Sequence, residues 1–338
     1  MPAPLPPPDA PPRDERLGRS LALGAALGLV VVALFALWAD VRGIGAALAR
    51  FPPGIALLAC ALSFANYGLR FLRWQRYLAL LGIRIAAPTS FLISLAGLAF
   101  TVSPGKLGEA YKSWLVRRLT GTPLSVTAPI VLAERFTDLL AFLVLIAIGG
   151  LSTSPEHAWI FGAVLAGCAA LLVFVAAPRL QERALALTAR LPLVSRWVPA
   201  TRTALESVRV LLAPRELWIP TLLATLGWGL ECVGFWLVAD AFAPGAVDLA
   251  FATYTFALAA VAGAVLILFP GGLGPTEASM SALLARRYLA SGLALDAARA
   301  SAASATLVIR LCTLWFAVLV GALAALAFRR RHPRSGER

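Results

Sequence analysis

Apolar runs of near-membrane length, separated by arginine-rich stretches, leave this chain few ways to fold. Such runs begin near Leu17, Pro53, Pro88, Val126, Ala158, Leu217, Ala250 and Ala300. Several approach the roughly 20 residues needed to cross the hydrocarbon of a bilayer. Hydrophobic residues make up 60% of the 338 positions and charged residues 14%, with a mean hydropathy of +0.82. That is more apolar surface than a soluble core can hide. The expected fold class is all-α and polytopic, with about six to eight transmembrane helices.

The net charge of +13 does not point to nucleic acid, because the arginines sit between apolar runs. That placement fits the positive-inside rule and contact with anionic lipid head groups. Cys60, Cys168, Cys232 and Cys312 all fall within apolar runs and lack metal-ligand spacing. They read as small packing residues, and no metal or other cofactor is expected.

Residues 1–16 are Pro-rich and polar, the composition of a disordered segment. Residues 17–328 form one integral membrane domain, and 329–338 a basic tail. The first run, Leu17–Trp38, is read as a retained helix rather than a cleaved signal. The second ends in Arg70-Phe71-Leu72-Arg73-Trp74-Gln75-Arg76, which predicts a cytoplasmic arginine anchor with Trp74 at the interface. The piece from Pro88 to Val102 is short for a span, at roughly 1.5 Å per residue. Residues 179–215 carry seven arginines interleaved with Leu and Val, the pattern of basic amphipathic helix on a membrane surface.

Two polar, glycine-rich breaks interrupt this plan. Ser103-Pro104-Gly105-Lys106-Leu107-Gly108-Glu109 is echoed by Phe269-Pro270-Gly271-Gly272-Leu273-Gly274-Pro275-Thr276-Glu277. Both contain Pro-Gly-x-Leu-Gly followed by Glu. An arginine pair comes next in each copy, Arg117-Arg118 and Arg286-Arg287, and then a single arginine, Arg135 or Arg310. This is an internal duplication, with repeat one at about 53–177 and repeat two at about 217–328.

Counting every apolar piece as a crossing, with the N-terminus inside, puts the arginines of 179–215 outside, against the positive-inside rule. If 88–120 and 250–290 are re-entrant hairpins from opposite faces, every strongly basic segment but Arg286-Arg287 becomes cytoplasmic. The connections 152–157 and 243–249, which hold no Lys or Arg, become external. The repeats are then inverted, a recurring transporter plan. Both termini are expected in the cytoplasm and the membrane is expected to be the plasma (inner) membrane.

Irregular backbone survives at membrane depth only where it is buried in protein or lines a polar cavity. Gly105, Gly108, Gly271, Gly272 and Gly274 permit close approach, and amides at the start of the next half-helix favour an anion such as a lipid phosphate. Lys106 adds a positive charge. A tight interfacial turn, with Glu109 and Glu277 favouring a helix N-terminus, is the plainer alternative. The spacing is not that of a Walker A loop. Ionisable groups inside spans are costly and face cavities or one another. Glu134 and Asp138 lie one turn apart with Arg135 able to reach Asp138, Glu231 is central in Leu217–Phe242, and Arg310 lies within the last span. An internal ion pair fixing helix register is the structural alternative for the first group. Arg135 and Arg310, at equivalent places, are expected to share a polar site.

Taken in order, Arg70-x-x-Arg73-Trp74, Lys106-Leu107-Gly108-Glu109, Glu134-Arg135-x-x-Asp138, Pro270-Gly271-Gly272-Leu273-Gly274 with Glu277, and Arg310 resemble the lysylphosphatidylglycerol synthase transmembrane-region family. Its members are also described as flippase-like integral membrane proteins. The resemblance covers residues 20–328. It implies handling of anionic or polyprenyl-type lipids, with flipping of an aminoacylated phospholipid the best-known role and hopanoid and glycolipid pathways as other settings. The large synthases of the family add a soluble aminoacyl-transfer domain. The sequence stops at Arg338, so synthase activity is not expected to carry over. Lys106 stands where members often have Arg, which keeps the charge and loses bidentate phosphate geometry.

The expectation is a lipid translocase or lipid-binding membrane protein, not an enzyme. Lys106, Arg135 and Arg310 would contact phosphate, and Glu109, Glu134, Asp138, Glu231 and Glu277 would support them or exchange protons. One alternative is an intramembrane enzyme on lipid phosphates using Glu109 or Asp138. Another is a non-catalytic membrane partner of a lipid or glycan pathway.

Overall fold

The computed structural model describes residues 41–102, 110–150, 158–189, 198–265 and 272–332. Lys106, Gly105, Gly108, Glu109 and Gly271 lie outside the described residues, as do 1–16, Leu17–Trp38 and the end of the basic tail. Helices α1 (Val41–Ala49), α2 (Pro53–Leu80) and α3 (Ala87–Ala96) come first, α3 tightening into a 3-10 turn over Gly97–Phe100. Then follow α4 (Ala110–Thr120), a single turn at Leu124–Thr127, α5 (Pro129–Gly150) and α6 (Ala158–Ala176). Two shorter helices, α7 (Pro178–Ala189) and α8 (Val198–Leu211), fill the arginine-rich connection. The second half holds α9 (Pro214–Phe242), α10 (Leu249–Val265), α11 (Pro275–Ala290) and α12 (Leu295–Arg310). A π turn at Leu311–Trp315 carries α12 into α13 (Phe316–Arg331).

Proline punctuates these starts. Pro53, Pro214 and Pro275 open α2, α9 and α11, where the missing N–H costs nothing and the ring fixes a helical φ. At the far end of α2, Gly82 sits at φ 70°, and the Gly82 and Ile83 amides bond back to Ala79 and Leu78. That is a left-handed glycine stop satisfying the last carbonyls.

Helices α2 and α9 and the joined α12–α13 (Leu295–Arg331) are long and apolar enough to cross a membrane. Ala87–Phe100, Phe161–Ala176 and Leu249–Ala264 are shorter apolar helices. Among the described residues there is no strand. The chain is an all-α polytopic membrane protein. Its last helix starts at Leu295 rather than near Ala300. Asp296 and Arg299 hide this start from hydropathy, but the alanines around them are strong helix formers.

Helix α2 packs along α9. A Cβ on Gly227 would meet Asn66, and one on Gly234 would meet Ala59, so the later position in one helix faces the earlier position in the other. The two helices are antiparallel. Two apolar cores flank this pair. One gathers Trp74, Tyr77, Ile93, Leu115, Phe136 and Phe328 from α2, α3, α4, α5 and α13. The other gathers Ile146, Phe235, Tyr254, Leu284, Tyr288 and Ile309 from α5, α9, α10, α11 and α12. Each core thus joins the helices around one break to a helix from the other half: α3 lies on α13, and α10 on α5.

Trp74 corrects an expectation. It is fully buried, and its Nε1 donates to Ser90 Oγ (3.1 Å). Arg73 beside it is 1% exposed. This stretch of α2 is core rather than interfacial anchor, because α3 and α5 close over it.

Candidate functional site

Between the two cores lies a cavity of about 530 Å³, within the roughly 300–1,000 Å³ typical of small-molecule sites. Leu98, Val131, Phe142, Phe256, Met280 and Leu314 give it apolar walls. Arg70, Arg135, Asp138, Glu231, Thr276 and Arg310 give it polar ones. Residues of α2, α5, α9, α11 and α12 therefore meet here, and both expected single arginines face one space.

Helix α5 supplies the acid at its centre. Asp138 Oδ1 accepts from Arg73 Nη1 (2.7 Å) and from Trp228 Nε1 (2.9 Å), and its Oδ2 lies 3.1 Å from Arg135 Nη2. One carboxylate so ties α2, α5 and α9 together. Its neighbour Thr137 accepts from Arg73 Nη1 (3.1 Å) and lies 3.2 Å from the Tyr77 hydroxyl. The expected Arg135–Asp138 pair is present, and its second cation, Arg73, was not anticipated.

Glu134, expected beside the same site, points elsewhere. Its Oε2 is 2.5 Å from Lys112 Nζ, which also lies 4.8 Å from the Trp74 ring centroid. Glu134 and Lys112 instead border a small polar pocket with Tyr67, Arg70, Ser94 and Gly97. A Cβ on Gly97 would press on the Lys112 stem, so that glycine makes room for the lysine.

In the second half, Glu277 acts both as a cap and as a counter-ion. Its side chain accepts from the Gly274 amide (2.6 Å) at the start of α11, where Gly274 sits at φ 96°. Its other oxygen is 2.5 Å from Arg310 Nε. The glycine break thereby positions an arginine that follows it by more than thirty residues. Gly272, at φ 71°, packs its backbone against Gly263. Gly97 and Gly263 each stand eight residues before the Pro-Gly glycine of their own break, a correspondence visible only after the fold shows both in tight contact. Arg310 ends α12 where the π turn begins, and such turns are frequent at functional sites.

Glu231 lines the cavity from α9 and accepts from Asn66 Nδ2 (2.6 Å). Gly227, one turn before it, leaves the space that Asn66 occupies. Among the described residues, no cluster of His, Cys, Asp and Glu could hold a metal ion.

The sequence model of the lysylphosphatidylglycerol synthase TM region matches residues 25–321. No curated protein matches the chain. The chain belongs to the lysylphosphatidylglycerol synthase TM-region family.

Proposed function

We propose that this family member is a lipid translocase or lipid-binding protein that holds a phosphate-bearing head group in the central cavity without changing it covalently. The lipid class is an anionic phospholipid or a polyprenyl- or hopanoid-type lipid, with its tails left in the bilayer. The observation that carries this reading is that Arg135 and Arg310, at corresponding places in the two halves, wall one cavity whose remaining surface is largely apolar. Guanidinium groups suit phosphate oxygens, and apolar walls suit the glycerol and upper chain. Asp138 and Glu277 hold these arginines in place.

The antiparallel run of α2 and α9 supports inverted repeats, with hairpins at 88–120 and 250–290 approaching from opposite faces. The positive-inside rule supports cytoplasmic termini, and the plasma (inner) membrane is the membrane we propose. A role for Asp138 as acid or base is disfavoured by its environment, since two donors and a second arginine already occupy the carboxylate.

Reconstitution into liposomes with labelled lipids tests the proposal. Leaflet exchange without a new lipid species is the expected result. Arg135→Gln and Arg310→Gln, each checked for folding by thermal melting, should abolish exchange. A modified lipid detected by mass spectrometry would replace the translocase with an enzyme. Neither exchange nor product would leave the pathway-partner role.

A further inference from the structure

The charges around the cavity do not balance one another evenly. Arg73 and Arg135 share Asp138, Lys112 has Glu134, and Arg310 has Glu277. Arg70 lines the same cavity, yet among the described residues no carboxylate comes within 4.0 Å of it. Glu231, the remaining acid of that wall, is engaged by Asn66. What Arg70 does have is the Trp228 ring, 6.0 Å from its guanidinium carbon. The indole is fixed in turn by its bond to Asp138. Arg70 is half-buried at the cavity wall, and a cation–π contact leaves its donor N–H groups open to an anion.

We infer that Arg70 is the primary anion contact of the cavity, and that the phosphate of a bound head group makes with it the direct ion pair that no described carboxylate makes. This rests on the lipid-binding reading and adds to it the residue that anchors the ligand. Arg135 and Arg310 flank the bound anion while keeping their own carboxylates. Arg70 is the cavity arginine with a fork of donors not committed to an acid of the fold, the geometry that accepts phosphate bidentately. Its position also matters, because Arg70 borders both the cavity and the small pocket holding Lys112 and Glu134.

Binding of short-chain phosphatidylglycerol and of glycerol phosphate to the full-length chain in detergent tests this. Wild-type protein should bind phosphatidylglycerol, and Arg70→Gln should weaken that binding roughly ten- to hundredfold, the loss of charge-assisted hydrogen bonds. Arg70→Lys should fall between. Arg76→Gln, whose arginine pairs with Glu216 away from the cavity, should bind as wild type. Phosphatidylglycerol should also slow modification of Arg70 by phenylglyoxal in the wild-type protein, read by peptide mass spectrometry. That measurement decides the matter even if Arg70→Gln fails to fold. Wild-type binding with an unaffected Arg70→Gln protein, or with Arg70 unprotected, overturns this assignment and leaves the lipid-binding reading standing. Absence of binding of both probes to wild-type protein overturns this assignment, while the liposome exchange assay decides the lipid-binding reading by itself. Equal affinity for glycerol phosphate makes the ligand a soluble anion, with Arg70 still its anchor if Arg70→Gln loses that binding.

Discussion

At the scale of single residues, the buried charges among the described residues each meet a partner across helices. Lys112 is 4% exposed and Glu134 2%, and their 2.5 Å contact links α4 to α5. Desolvating both ions offsets most of their attraction, so the pair adds little net stability, but breaking it strands a charge. Lys112→Ala should therefore destabilise the protein by about 3–5 kcal/mol. The double variant Lys112→Met with Glu134→Leu should recover most of that loss. Thermal melting of the two variants checks this, and equal losses would show that the lysine acts through packing alone. Such pairs were unequally legible in the sequence. Glu134, Arg135 and Asp138 stood out because ionisable groups are rare in an apolar run, and Arg135–Asp138 follows from helical spacing. Arg73 read as part of a cytoplasmic arginine anchor and Lys112 carried no signal of burial, since their acids lie on other helices. Arg70 was grouped with Arg73, although it lines the cavity.

At the scale of elements, Gly149 and Gly321 each let a helix press against the backbone of a neighbouring element. A Cβ on Gly149 of α5 would come 2.5 Å from the Tyr254 amide nitrogen and 2.8 Å from the Ala250 carbonyl oxygen of α10. On α13, a Cβ on Gly321 would meet the backbone of Leu98 and Ala99. Backbone cannot turn aside as a side chain can, so a single methyl must push a helix away. Gly149→Ala and Gly321→Ala should each cost roughly 1–3 kcal/mol, the range for overpacking. Gly162→Ala on α6, where nothing lies within 4 Å, should be neutral or slightly stabilising because alanine favours helix. Melting temperatures of the three proteins test this, and a loss at Gly162 as large as at Gly149 would remove the contact explanation. Helix existence was readable from the apolar runs, and the proline starts from local rules. The partners of each face were not, because the helices around each break close against the other half of the chain.

At the scale of the whole molecule, α2 and α9, which the proposed duplication would make equivalent, run in opposite directions. Helices α2 and α9 each open with proline and each precede a break, yet they pack antiparallel. A chain with parallel repeats would bring the same ends together. The proposed hairpins would have their bases at Thr120, the last residue of α4, and at Ser291 after α11, both exposed. If the halves are inverted in the bilayer, these bases lie on opposite sides. Replacing the four native cysteines and introducing Thr120→Cys or Ser291→Cys allows each to be labelled with a membrane-impermeant thiol reagent in sealed vesicles of known orientation. Thr120→Cys should react only from the cytoplasmic side, and Ser291→Cys only from the other. Arg135 and Arg310 would then reach one site from opposite faces, so that a head group could pass between them without crossing bare hydrocarbon. Reaction of both positions from one side would place the hairpins in parallel and leave the cavity without a second entrance.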